Sequence, residues 1–296
     1  MHLVWRAAGL ETYERFLESY VRHDAGSGHD LVLLFNGFDD QASLRPYRER
    51  AAGLAEREIV LGEPCLDLAA YQHAAATLAH ERICVLNSYS ELTSAGWLER
   101  LEAPLADDGV GACGATGAYG SHLSYELFQL GVPSAYGAAF EGRRSTRELL
   151  HELAGARVPG AAEYWLYALL TVVRERRRST RFPDPHLRTN GLLMDRALFA
   201  DVCRGSTRSK RDTYGIESGS GSITARLRAL GRRPVVVDRH GAAFEVADWH
   251  RSDVFRQADQ ADLLIVDNQT RIYAAANARQ RAALSAWSWG PWARPR

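Results

Sequence analysis

The chain has 296 residues, 46% of them hydrophobic and 24% charged, with 36 basic and 36 acidic side chains and a formal net charge of zero. That length allows one large α/β domain or two modest ones. The charge balance argues against a nucleic-acid footprint, and no run of 18 apolar residues is available for a transmembrane helix.

The start, MHLVWRAAGLETYERF, lacks the apolar centre of a signal peptide. Four cysteines at 65, 84, 113 and 203 show no CxxC spacing and no Cys/His pairing of a zinc site. Cys84 and Cys113 fall inside apolar runs and read as small core residues. These features lead us to expect a cytoplasmic protein, with peripheral membrane contact and self-association left open. The one basic run, 174–178, reads as a solvated helix end.

In chain order, residues 2–5 form a short apolar strand, and 11–22 carry apolar side chains at helical spacing (Tyr13, Phe16, Leu17, Tyr20, Val21). Residues 31–35 read as a fully buried strand stopping at Asn36-Gly37. A helix over 41–57, a strand at 58–62, an Ala-rich helix over 66–80, a strand at 83–86 and a helix over 95–105 follow. Residues 109–118, GVGACGATGA, read as a small-residue strand and loop. Strands separated by helices predict right-handed βαβ units and a mostly parallel sheet. The polar residues after each strand then gather along one edge, where open α/β sheets hold ligands.

The second half is less regular. Residues 119–142 read as a mobile Gly/Tyr/Ser-rich loop, 145–155 and 161–178 as helices, 189–199 as a strand running into a helix, and 210–222 as a loop. A helix over 223–230 stopped by Gly231, a strand at 234–237 and an irregular tail with a helix near 274–287 complete the pattern. We expect a single domain over 1–296, with a nucleotide-binding half (1–118), an acceptor half (119–248) and a C-terminal extension (249–296).

The order of several short stretches resembles the GT-A nucleotide-sugar glycosyltransferases, the family-two-like group in particular. The stretches are HLVWRAAG, LLFNGFDD, DLAAYQHAA, VLNSYSELTSAGWLERL, TNGLLMDRALF and ESGSGSITARLRALGRRPVVV. The likeness covers roughly residues 2–240. It implies a GT-A, Rossmann-like sheet and transfer of a sugar from a nucleoside-diphosphate sugar to an unidentified acceptor, with inversion. It also implies Asn36, Asp39 and Asp67 near the nucleotide. The family's metal-binding Asp-X-Asp maps onto Asn87 and Tyr89, leaving Glu91 as the one acid beside Ser88. Mg²⁺ or Mn²⁺ prefers anionic oxygen ligands, so the expected metal requirement is weak or absent. Arg188, Lys210 and Arg211 are then the cations expected near the diphosphate.

Inverting transfer needs a carboxylate that takes the acceptor's proton. Glu217, expected in a Gly/Ser loop before a helix, is the first choice, and Asp212 the second. The bland readings are a helix-approach acid for Glu217, a turn for Asp212, helix capping for Asp67, and a strand-end cap for Asn87 and Ser88. Asp267 likewise reads as a turn or cap. A different class of function, a nucleotide- or sugar-binding protein that has lost catalysis, fits the degenerate motif. A dehydrogenase does not, because no GxGxxG follows a strand.

Overall fold

The computed structural model describes residues 1–121, 170, 180 and 182–295. The expected segments 122–142, 145–155 and 161–178, and the basic run 174–178, lie outside the described residues, as does the side chain of Arg211.

Strand β1, His2–Trp5, runs parallel to β2, Val32–Asn36, which runs parallel to β3, Arg57–Val60. Between them lie helix α1, Leu10–Arg22, and α2, Gln41–Arg50. The 3–4 spacing of Tyr13, Phe16 and Leu17 puts all three on the buried stripe of α1. Asp40 caps α2 by accepting the Ser43 N–H at 2.7 Å. That helix stops well short of residue 57; Gly53, at φ +78°, turns the chain back toward β3.

Helix α3, Asp67–Thr77, leads into β4, Arg82–Val85. β4 joins β1 on the side away from β2, through Leu3 N–H to Leu86 O and Leu86 N–H to Met1 O, both at 2.9 Å. A short β5 (Glu91–Leu92), α4 (Trp97–Glu102), β6 (Val110–Gly114) and β7 (Gly117–Ala118) complete the first half. Gly117 must be small: a Cβ there would stand 2.9 Å from both Trp249 and Val236.

After β8 (His186–Leu187), strand β9, Leu192–Asp195, lies antiparallel between β4 and β6. Helices α5 (Arg196–Val202), α6 (Lys210–Glu217) and α7 (Ile223–Ala229) lead to β10 (Arg233–Val237), parallel to β6, and to its hairpin partner β11 (Ala243–Phe244). The sheet order is therefore β3-β2-β1-β4-β9-β6-β10-β11. This is a mixed α/β fold with a mostly parallel sheet covered on both faces.

One core carries Tyr71, Phe199 and Leu227 from α3, α5 and α7; the other carries Phe16, Leu44 and Leu101 from α1, α2 and α4. The tail is more ordered than its sequence predicts. Strand β12 (Ile265–Val266) pairs antiparallel with β5, and helices α8 (Asn268–Ala275) and α9 (Ala278–Trp289) follow, each with a capping box. No helix among the described residues is long and apolar enough to cross a membrane.

Candidate active site

The strand tips do meet along one edge of the sheet, but most of their polar groups are used internally. Asn36 is 2% exposed. Its amide donates to Cys65 O at 2.7 Å and accepts the Cys65 N–H at 3.0 Å, tying the loop before α3 to β2. Ser88 accepts the Trp5 N–H at 3.1 Å. Asn87 accepts the Tyr89 N–H at 2.9 Å. Asn36 and Ser88 thus brace strand ends rather than face a donor, and Asn87 closes a local turn. Asp39 is exposed and paired with Arg6.

The brace at the centre comes from the antiparallel strand. Asn190 accepts the Asn87 N–H at 3.2 Å and the Ser90 hydroxyl at 2.5 Å. The next residue, Gly191, sits at φ +72°, and a Cβ there would be 2.7 Å from Ala115. An antiparallel strand brings the residues before it to this edge, so Arg188, Thr189 and Asn190 share the edge with residues that follow the parallel strands.

Beside these braces lies a cluster held ready rather than tied down. Residues 210–217, expected as loop, are helix α6, because Ser209 and Asp212 form a reciprocal capping box. Asp212 is thereby occupied: its carboxylate accepts the Ser209 N–H at 3.2 Å and the Ser206 hydroxyl at 3.1 Å. Glu217 is the last residue of this helix rather than part of a loop. Thr189 donates to its Oε1 at 3.0 Å. Burial, and next the negative charge of Asp67, push the Glu217 carboxyl up to about 7, against the Thr189 hydroxyl and Arg188.

Asp67 opens α3 at its first turn, with Leu66 as the cap residue. Burial raises its carboxyl, opposed by the Leu68 N–H and by Lys210. Asp67, Lys210, Arg188, Thr189 and Glu217 are therefore neighbours drawn from α3, α6 and the tip before β9.

Arg188 is 18% exposed and pairs at 2.7 Å with Asp267, which is fully buried. Burial pushes the Asp267 carboxyl up, yet Arg188 and the Thr270 N–H and hydroxyl together hold it below its usual range. The Arg188 guanidinium lies 4.3 Å above the Phe255 ring. Asp267 also caps α8, so the duller expectation for it was correct and incomplete. Sequence reasoning missed Thr189, Asn190 and Arg271; the polar triplet Thr189-Asn190-Gly191 ahead of an apolar strand was the available signal for the first two.

Residues 87–91 do not suit a divalent ion. Asn87 already serves Tyr89, and the one carboxylate, Glu91, faces the Arg271 guanidinium at 2.5 Å. Among the described residues no group of three or more His, Cys, Asp or Glu side chains is placed to hold a metal. A cavity of about 350 Å³ opens at the opposite edge of the sheet, lined by Tyr20, His29, His80, Arg82 and Glu102. Among its side chains, His80 bonds Asp30 and Arg82 pairs with Glu102. We place the site at the tips, where Glu217, Asp67, Thr189 and Lys210 come together beyond the ends of the parallel strands.

No protein-family model matches this chain, and no curated protein matches it. Among solved structures, it is similar to a mannosyltransferase from Pyrobaculum calidifontis in complex with GDP-Man and Mn²⁺, at 13% identity and a TM-score of 0.47. That match covers 86% of this chain and 59% of the other, so the chain spans less than two thirds of the mannosyltransferase. It is also similar to mouse xyloside xylosyltransferase 1 in its apo form, at 10% identity and a TM-score of 0.35, covering 78% and 80% of the two chains.

Proposed function

We propose that this chain transfers a sugar from a nucleoside diphosphate to an acceptor hydroxyl in a single displacement with inversion, on a GT-A-like sheet. The observation that carries this reading is Glu217: a part-buried carboxylate at the ligand edge, oriented by Thr189 and lifted to about 7 beside Asp67. A base tuned to neutrality is what proton abstraction from a hydroxyl requires. The acceptor oxygen attacks the anomeric carbon as Glu217 takes its proton. The bond from that carbon to the diphosphate oxygen breaks, and the nucleoside diphosphate leaves with the electron pair. Lys210, the basic group beside Asp67, offsets part of the departing charge.

The test is a thermal-shift panel of nucleoside diphosphates and their sugar conjugates, followed by transfer assays. One diphosphate series should stabilise the fold by binding linkage, and Glu217→Gln should keep that stabilisation while losing turnover. Absence of a shift with every nucleotide sinks the reading. A second reading, a binding protein without catalysis, is favoured by the tip after β4, where Asn87 serves Tyr89 and the one carboxylate, Glu91, is paired with Arg271; stabilisation by a nucleotide sugar with no turnover by the wild type would select it.

A further inference from the structure

We infer that Arg271, carried by helix α8 of the C-terminal extension, is the cation that binds the donor's diphosphate at the tip of β4, and that Glu91 is its resting partner. This rests on the transferase reading above.

Three observations support the inference. First, Arg271 reaches the tip after β4, the stretch that the resemblance assigns to a metal. One guanidinium nitrogen lies 2.5 Å from Glu91 and the other donates to Tyr89 O at 2.9 Å. Second, this ion pair is open to solvent: the Arg271 and Glu91 side chains are 33% and 36% exposed. An exposed pair of this kind is weak, so an incoming ligand can displace Glu91 at little cost. A diphosphate brings more negative charge than one carboxylate and matches the guanidinium fork.

Third, Arg271 is held from behind. The cap of its helix is Asp267, fully buried against Arg188, and β12 pairs with β5 just ahead of it. The Arg188–Asp267 pair is sequestered and does not exchange. The two arginines thus divide the work: Arg188 fixes the extension to the tip before β9, and Arg271 presents an exchangeable charge at the tip of β4.

The experiment measures stabilisation of the full chain by UDP, GDP, ADP and CDP, in EDTA and in Mn²⁺, for wild type, Arg271→Gln, Arg271→Lys and Glu91→Gln. We expect the wild-type shift to persist in EDTA. Arg271→Gln should weaken diphosphate binding about tenfold or more, Arg271→Lys should recover part of it, and Glu91→Gln should tighten binding because its competitor is gone. Ligand-free melting temperatures establish that each variant folds.

An unchanged ligand shift in Arg271→Gln overturns the inference while leaving the transferase reading intact. So does a shift that needs Mn²⁺ and disappears in Glu91→Gln, which would make Glu91 a metal ligand. No shift in the wild type with any diphosphate refutes the transferase reading itself, and this inference with it.

Discussion

The braced tips of β1, β2 and β4 and the neighbouring cluster of Asp67, Thr189 and Glu217 are both polar, but they use polarity in opposite ways. At Asn36, Ser88 and Asn190 the donors and acceptors bond the protein's own backbone and side chains, and the tips become rigid. At Glu217 a carboxylate is kept part-buried beside another acid, so folding stabilises its proton rather than its charge. A polar group at a ligand edge is therefore not by itself a ligand group. The distinguishing mark is whether its bonding is closed or its ionisation remains poised near neutral pH.

Glu217→Gln tests the poised side most severely. Loss of a general base should reduce turnover by about 10²–10⁴-fold, measured under saturating donor and acceptor. Next comes Arg188→Met, which leaves Asp267 charged and buried without its partner. Removing one member of a buried pair costs about 3–5 kcal/mol, which denaturant titration would read.

The third test is pH. The Glu217 carboxyl rises in the fold from an ordinary 4.5 to about 7. Its contribution to stability is therefore fully present below about pH 4.5 and is lost as pH rises through about 7, a swing of at most about 3 kcal/mol. Glu217→Gln should consequently be more stable than wild type at pH 8 and equal to it at pH 4. Equal stability at both would place the carboxylate in contact with solvent and remove the contrast.

On the closed side, Asn36→Ala strands the half-buried N–H and C=O of Cys65 and should cost about 1 kcal/mol, with ligand-induced stabilisation of the folded protein intact. The smallest expected effect is at Thr189. Thr189→Val removes the hydroxyl that lowers the Glu217 carboxyl, so the acidic limb of the rate profile should move to higher pH.

The alternating first half was legible because each βαβ unit is local: one strand, one helix stripe, one polar tip. The site was legible only in part. Asp67, Arg188, Lys210 and Glu217 were picked from their chemistry and do lie together, whereas Asn36 and Ser88 looked the same in sequence and are braces, and Asn87 closes a local turn. Helix α6 escaped because the Gly- and Ser-rich stretch after it dominated the reading, although Ser209 and Asp212 carry a capping-box spacing. The pairs Glu91–Arg271 and Arg188–Asp267 join residues 180 and 79 positions apart. No period or spacing encodes such contacts; they exist because β12 pairs with β5 and delivers α8 to the tips.

One consequence concerns synthesis. β4 and β6 are joined to each other through β9, where Leu192 pairs with both Val85 and Gly114. On the ribosome, β4 and β6 emerge before the strand that pairs with both, so the backbone N–H and C=O groups of their facing edges lack that partner. Roughly 80 further residues must be made before it arrives, a delay on the order of ten seconds at ordinary elongation rates. The nascent chain must stay unaggregated through that interval, and a product terminated near residue 121 would never gain that partner.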